Sequence, residues 1–327
     1  MCTMSLMRYV LLMLLRFTEQ EVRKWMEEYF DLFVKLFNKS LLPNTILLSG
    51  QKGSGKATFA YHFTNYLLSY YEKNKYSFKN FEINSENKSY KDLCDNIHPN
   101  FFLLENSNNE ENIKIDDVRN IKKFLNKSTY KSNIKIVLID NAEYLNINSS
   151  NALLKSLEEP NKNTFFFIIN NNSKKILNTV KSRSIEFRFF FNKDEKKSIF
   201  NKLSNLYENN FDADIIDDDF YLESAGNILK YIKILNDNPI DNTKDKISCI
   251  SYLFDKYKTK KDSQILIFIS FLIELFYKDL SIKNNKKLNV YFYNKIKILN
   301  QINNLKKFNL DKNSLFISLQ GILKNET

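Results

Sequence analysis

Apolar residues fall along this chain in two registers, one with the spacing of helices and one with that of buried strands. Between residues 26 and 42 they recur at Tyr29, Leu32, Phe33, Leu36 and Phe37, the three-and-four spacing of a helix with one apolar face. Pro43 and Asn44 end that helix, and Thr45–Ser49 follows as a short apolar run of the kind buried strands show. A second helix is predicted from Lys56 to about Ser69, with Phe59, Phe63, Tyr66, Leu67 and Tyr70 on one side. Residues 71–97 are polar and read as an irregular surface insertion. Phe101–Leu104 is a second strand candidate, entered through His98-Pro99, and Asn106–Asn112 is a polar loop. Ile113–Leu125 has helical spacing at Ile115, Val118, Ile121, Phe124 and Leu125. Ile134–Ile139 is a continuous apolar strand that ends in Asp140. Ser149–Glu159 forms a helix with Leu153, Leu154 and Leu157 inward, stopped by Pro160. Thr164–Ile169 is a further apolar strand, and Ile185, Phe187 and Phe189 alternate as a fifth. Strands that are apolar throughout and separated by helices predict a parallel α/β sheet covered on both faces.

After about residue 192 the strand signals stop. Asp194–Leu235 reads as a small helical unit and Asp241–Asn325 as a second. The expected partition is an N-terminal extension over 1–25, an α/β module over 26–191, a helical lid over 192–240 and an all-α domain over 241–327. Ile265–Phe276 is the most apolar long run, but it falls short of the roughly 20 residues a membrane-spanning helix needs. Glu274, Lys278 and Asp279 close it off, so it reads as a buried helix and no membrane partner is expected. The extension holds an apolar stretch, Tyr9–Leu15, after Arg8, followed by Arg16, Glu19 and Glu21 without a small-residue cleavage site. A helical extension and a start codon placed too early are the two readings of it.

Composition changes the picture little. The net charge of +11 suits a polyanionic partner, but a chain rich in Lys, Asn, Ile and Phe acquires such a charge from an A+T-rich genome without selection for binding. With 5 Gly and 4 Pro, disordered and fibrous classes are excluded. The three cysteines, Cys2, Cys94 and Cys249, lie too far apart for a C-x-x-C metal pair or a disulfide framework, and a reducing cytoplasm is the expected setting.

The chemistry sits between the first strand and its helix. Gly50-Gln51-Lys52-Gly53-Ser54-Gly55-Lys56-Ala57 meets the P-loop pattern at every fixed position except the last. Backbone N–H groups of such a loop face phosphate, the helix N-terminus adds positive potential, and Lys56 would reach the β- and γ-phosphates. Ala57 stands where a Ser or Thr hydroxyl ligates Mg²⁺, and it has no oxygen to offer. The loop therefore either binds nucleotide, or folds the same way as a vestige and binds nothing. The apolar strand ending in Asp140 has Walker B form, but its neighbour is Asn141, whose amide cannot accept a proton as a carboxylate does. Glu143, the nearest carboxylate downstream, reads as decoration of a helix start in preference to a displaced base. Arg183, in Ser182-Arg183-Ser184, lies on a turn before the fifth strand, where an exposed guanidinium could reach a neighbouring subunit. Taken alone, such a triplet is as consistent with a solvated surface arginine. His62 and His98 lack partners at metal spacing and read as structural, and Cys94 has no support as a nucleophile.

Together these residues resemble the delta-prime family of bacterial clamp-loader subunits, which are AAA+ proteins. The resemblance runs over about 45–190. It is carried by His98-Pro99-Asn100-Phe101, by Ile115-Asp116-Asp117-Val118-Arg119, by Ile136-Val137-Leu138-Ile139-Asp140-Asn141-Ala142-Glu143, and above all by Asn151-Ala152-Leu153-Leu154-Lys155-Ser156-Leu157-Glu158-Glu159-Pro160. It implies an AAA+ module, a small lid and a helical collar that holds the chain in a hetero-oligomeric ring with delta and motor (gamma/tau) subunits. It further implies action on a sliding clamp and primer-template DNA during replication. The family's Ser-Arg-Cys motif lends its arginine to the ATP site of the adjacent motor subunit; here Ser184 replaces the Cys and Arg183 is kept. The resemblance places sensor 1 near Asn170 or Asn171, and sensor 2 at Leu229 after Gly226, where no phosphate contact is possible; Lys230 points about 100° away on a helix. The four-Cys zinc module of many relatives is not expected, since residues 71–97 hold only Cys94. A non-hydrolysing stator is thus the leading expectation. Its rivals are an ATP-hydrolysing motor subunit of the same loader, a P-loop phosphotransferase for a small molecule, and a DNA-binding scaffold outside replication.

Overall fold

The computed structural model describes residues 23–77, 83–105, 113–129, 133–206, 218–236, 245–308 and 321. The expected extension over 1–25 lies almost wholly outside these residues, as do the Asn106–Asn112 loop and the chain beyond 308 apart from 321. The described elements run in chain order as α1 (Arg23–Asn38), β1 (Thr45–Gly50), α2 (Lys56–Leu68), α3 (Lys88–Cys94), β2 (Phe101–Leu104), α4 (Ile115–Leu125), β3 (Lys135–Ile139), α5 (Ile147–Glu158), β4 (Thr164–Asn170), α6 (Asn178–Lys181), β5 (Ile185–Phe189), α7 (Lys193–Leu206), α8 (Ala225–Asn236), α9 (Lys246–Lys260), α10 (Ser263–Lys283) and α11 (Leu288–Phe308). Short 3₁₀ turns occupy Ala142–Tyr144, Asp218–Leu222 and Asn285–Lys287.

The five strands form one parallel sheet in the order β2-β3-β4-β1-β5. Strand alternation divides their side chains between two cores. Ile46, Leu48, Ile136, Leu138, Phe165, Phe167 and Ile169 meet the aromatic faces of α1 and α2. Leu47, Val137, Ile139, Phe166 and Ile168 meet α4 and α5. The apolar runs read from sequence as strands buried on both faces are that, and the sheet, its glycine loop and the helical C-terminal region agree with the AAA+-type expectation.

Three local expectations need correction. Leu32 does not face the core: it is 42% exposed, while Phe30 is fully buried. The inward stripe of α1 is Phe30, Phe33, Val34 and Phe37, and the rings of Phe30 and Phe33 stand edge-on to Phe63, each at 5.3 Å. Tyr70, expected beside Phe63, is likewise exposed, because α2 ends at Leu68. The insertion over 71–97 is not simply irregular surface. Asn87 caps α3 by accepting from the backbone N–H of Tyr90 at 2.7 Å, and Tyr76, Tyr90 and Leu93 enter the aromatic core. Residues 78–82 of that stretch are outside the described set.

Lys135, at the start of β3, is buried. Its ammonium donates to the carbonyls of Phe124 (3.2 Å), Leu125 (2.6 Å) and Lys127, so a cation closes the C-terminal end of α4.

The chain divides into two compact units, 1–209 with Ser224–Gly226, and 210–223 with 227–327. In the second, Tyr231 stacks on Phe268 (4.5 Å) and Phe271 (5.3 Å), and α10 supplies the buried apolar run from Ile265 to Tyr277. Among the described residues no helix is long and apolar enough to cross a membrane.

Candidate nucleotide site and arginine turn

The loop between β1 and α2 turns through two glycines in the left-handed region, Gly53 (φ 84°) and Gly55 (φ 86°), a conformation that a side chain would strain. Gly55 is the residue before α2, so the free N–H groups of that helix open onto the loop. Lys56 is buried at the mouth. Its Nζ donates to the Gly50 carbonyl (2.9 Å), the Gln51 carbonyl (2.7 Å) and Ser54 Oγ (3.3 Å). Burial lowers its pKa from 10.5 to about 8, although Asp140 and Glu143 pull the other way. Ala57 packs its methyl against the aromatic core. Thr58, the next hydroxyl, lies about 100° further round the helix.

The same loop is held from outside by three contacts. Lys196 Nζ donates to Gln51 Oε1 (3.0 Å), Ser224 Oγ to the Lys52 carbonyl (2.6 Å), and the Gly226 N–H to the Gly53 carbonyl (3.3 Å). A Cβ on Gly226 would stand 2.7 Å from that carbonyl oxygen, so the backbones can meet only with glycine there.

Beyond β3, Asp140 is half-buried, and desolvation raises its pKa; the N–H of Asn141 donates to it at 2.9 Å. Asn141 is itself left-handed (φ 57°), and its Oδ1 accepts from Asn171 Nδ2 at 3.0 Å. Glu143 is not a solvated helix-start carboxylate. It is buried, and its two oxygens accept from the Asn171 N–H (3.1 Å) and Ser173 Oγ (2.7 Å). Asn170, buried at the end of β4, donates from Nδ2 to Asn172 Oδ1 at 2.9 Å. The C-terminal ends of β3 and β4 are thus bolted together by amides and one carboxylate. The residues fit the phosphates of a nucleotide: a glycine nest, a helix N-terminus and Lys56. They fit a Mg²⁺ ion poorly, because Ala57 lacks a ligand atom and burial disfavours the charged form of Asp140.

Arg183 is held against its own chain, contrary to the exposed guanidinium expected from the turn. Its Nε donates to Glu158 Oε1 at 2.6 Å, Nη2 pairs with the same oxygen, and Nη1 donates to the Thr179 carbonyl (3.0 Å) and Ser182 Oγ (3.3 Å). The side chain is 30% exposed. Ser184, in the place of the family's Cys, donates from Oγ to the Val180 carbonyl at 2.8 Å.

A further polar cluster, Glu72, Ser89 and His98, has the residue types of a nucleophilic triad without its proton logic. His98 Nδ1 accepts from the Asn100 N–H (3.2 Å), so Nε2 carries the hydrogen and donates to Ser89 Oγ (3.3 Å), which donates to Glu72 (2.5 Å). No imidazole lone pair faces the hydroxyl, and the cluster is structural. His62 is likewise structural, buried and bonded to Tyr76 Oη at 2.9 Å.

Comparison with known proteins decides the family. The family described as DNA polymerase III, delta subunit, matches residues 25–192, half of the chain. The chain belongs to that family. Among curated relatives, the DNA polymerase III subunit delta′ of Pseudomonas aeruginosa is 32% identical over 155 residues, covering 47% of this chain and 45% of the relative. The subunit delta′ of Buchnera aphidicola subsp. Schizaphis graminum is 29% identical over 164 residues, covering 50% and 48%. The chain spans about half the length of these relatives. A solved gamma subunit-related protein of Thermotoga maritima is 17% identical, covers 93% of this chain and 99% of its own, and has a TM-score of 0.47.

In this delta-prime-type chain, the predicted loop residues Gly50, Gly53, Ser54, Gly55, Lys56 and Ala57 come together with Asp140, as Lys56 and Asp140 influence each other's charge. Arg183 stands apart from them, on the turn before edge strand β5. Leu229 and Lys230 lie on α8 within the second unit. The sequence reading missed Lys196 and Ser224 at the loop, and Glu158 at the arginine. All three are tertiary pairings with no local pattern in the sequence.

Proposed function

We propose that this chain is the delta-prime stator of a replicative clamp loader: it binds nucleotide weakly or as a vestige, does not hydrolyse it, and lends Arg183 to the ATP site of an adjacent motor subunit. The observation that carries the reading is the fate of the groups beside Asp140. The Asn141 side-chain oxygen and both Glu143 oxygens are engaged by Asn171 and Ser173, so the position beside the strand end has no carboxylate to activate water. Ala57 removes the Mg²⁺ ligand from the same site. An intact phosphate loop without a base or a metal ligand supports a structural part in a machine whose other subunits hydrolyse ATP. Its partners would be delta and motor (gamma/tau) subunits, the sliding clamp and primer-template DNA, in the cytoplasm.

The test is reconstitution with those partners. Arg183→Ala should leave assembly intact and sharply lower the clamp- and DNA-stimulated ATPase of the complex, since an arginine supplied in trans contributes about 10³–10⁵ in rate in GTPase systems. Unchanged turnover would end the lent-arginine reading. Magnesium-dependent ATP cleavage by the isolated chain, lost in Lys56→Ala, would favour the motor-subunit alternative instead.

A further inference from the structure

We infer that Glu158 is a positioning residue that parks Arg183 inside its own subunit until a competing phosphate draws it out. This rests on the lent-arginine reading above and adds its control. A guanidinium has five N–H bonds. In the folded chain Nε and Nη2 face the Glu158 carboxylate, while Nη1 faces the Thr179 carbonyl and Ser182 Oγ. Among the described residues, only the second Nη2 hydrogen is left over. A two-pronged grip on a phosphate needs two parallel N–H bonds from one edge of the fork. The arginine must therefore release Glu158 before it can serve a neighbour.

The placement of Glu158 fits a latch better than a stabilising pair. It is the last residue of α5, where the helix presents the negative end of its dipole and a carboxylate is disfavoured. Arg183 offsets that local excess of negative charge. Both side chains are partly open to solvent, 30% for Arg183 and 47% for Glu158. Exposed pairs of this kind shift an equilibrium by at most about fivefold. The latch is therefore strong enough to keep the arginine home in a resting subunit and weak enough to yield to a triphosphate, which carries more charge than one carboxylate. Ser184 complements it: by bonding to the Val180 carbonyl it fixes the turn, so that release moves the side chain and not the backbone.

The experiment is ATPase measurement on the reconstituted loader with wild-type chain, Glu158→Gln, Arg183→Ala and the double variant, with and without clamp and primed DNA. Glu158→Gln keeps the size and loses the charge. It should raise the unstimulated rate by up to about fivefold, and the rise should vanish in the Arg183→Ala background. A sharp loss in Arg183→Ala together with an unchanged or lowered rate in Glu158→Gln would overturn the latch and leave the lent arginine standing. No loss in Arg183→Ala would overturn the lent arginine, and the latch with it. A second measurement needs no partner. In the isolated full chain the Arg183 Nε–H should give a resolved, slowly exchanging NMR signal that merges with bulk arginine in Glu158→Gln while circular dichroism is unchanged. Absence of a resolved signal in the wild type would overturn the latch by itself.

Discussion

Replacing Lys56 with Met removes a buried ammonium and keeps a chain of similar length. In the wild type, burial moves the lysine from 10.5 to about 8, even with Asp140 and Glu143 nearby. At about 1.4 kcal/mol per unit, holding Nζ charged inside the loop costs about 3 kcal/mol more than in the unfolded chain. The unfolded chain keeps this proton up to about pH 10.5, whereas the folded chain releases it near pH 8. Between those values the unfolded state binds more protons, so stability from this group rises with pH. The penalty is complete below about pH 8 and gone above about pH 10.5. The Met variant has no such titration. At neutral pH it also leaves the Gly50 and Gln51 carbonyls without their donor, a loss of about 1–3 kcal/mol that does not change with pH. The absolute difference at one pH is therefore a poor guide, and the slope is the readout.

Urea denaturation of both proteins from about pH 7 to about pH 11 supplies it. The wild-type-minus-variant difference in unfolding free energy should climb by about 3 kcal/mol across that range, with most of the rise above pH 8. Subtracting the variant cancels titrations common to both proteins, including the many tyrosines. A flat difference would refute the view that this ammonium is desolvated by its own loop. A falling one would mean that the charged form is favoured in the fold, as a persistent ion pair with Asp140 would produce.

Two further substitutions test the loop. Gly226→Ala brings a methyl to 2.7 Å from the Gly53 carbonyl oxygen, so the backbones must part. A loss of about 1–3 kcal/mol is expected by thermal or chemical unfolding, with weakened binding of a fluorescent ATP analogue; a neutral effect would mean that the contact is loose. Ala57→Thr returns the missing oxygen. It should make analogue binding magnesium-dependent without producing turnover, because Asn141 and Glu143 stay bonded to Asn171 and Ser173. Steady-state hydrolysis in that variant would show that the metal ligand alone was limiting.

Much of the first unit was legible because its strands are short apolar runs and each helix after a strand has one periodic face. β1, β3 and β4 were found within one or two residues, since a strand buried on both faces leaves no ambiguity of phase. The phase of α1 was less secure. Leu32 and Phe30 are equally apolar, and only the rings of Phe59, Phe63 and Tyr76 around Phe30 decide which faces inward. The segment over 71–97 misled because its order comes from polar groups. Asn65, Asn74 and Asn87 link to one another through side-chain amides and a backbone carbonyl, which hydrophobic patterning does not register. At the site, a regular motif announced the glycine loop. The partners that hold it, Lys196, Ser224 and Gly226, come from far along the chain and carry no pattern that points back to residue 50.

On the proposed stator reading, the polar residues near Asp140 show how a site would lose its chemistry and keep its shape. A water-activating carboxylate must keep a lone pair free and face a cavity, so it contributes little to holding strands together. Asn141 does the reverse. In a left-handed turn its amide oxygen takes a hydrogen bond from Asn171, and Glu143 beside it takes two more from the same segment. Each bond to the carboxylate is worth about 1.5–3 kcal/mol in such settings, and together they fix the end of β4 against the end of β3. The side-chain oxygens of Asn141 and Glu143 are here engaged in holding the two strand ends. The same trade is seen at Ala57, whose methyl packs into the aromatic core instead of reaching for a metal. Arg183 follows the opposite course. Its bonds are to a helix-end carboxylate, a carbonyl and a hydroxyl, all at the surface and all replaceable by phosphate oxygens. The ends of β3 and β4 are tied by buried polar bonds, whereas the proposed role of Arg183 needs contacts weak enough to exchange, and its bonds lie at the surface.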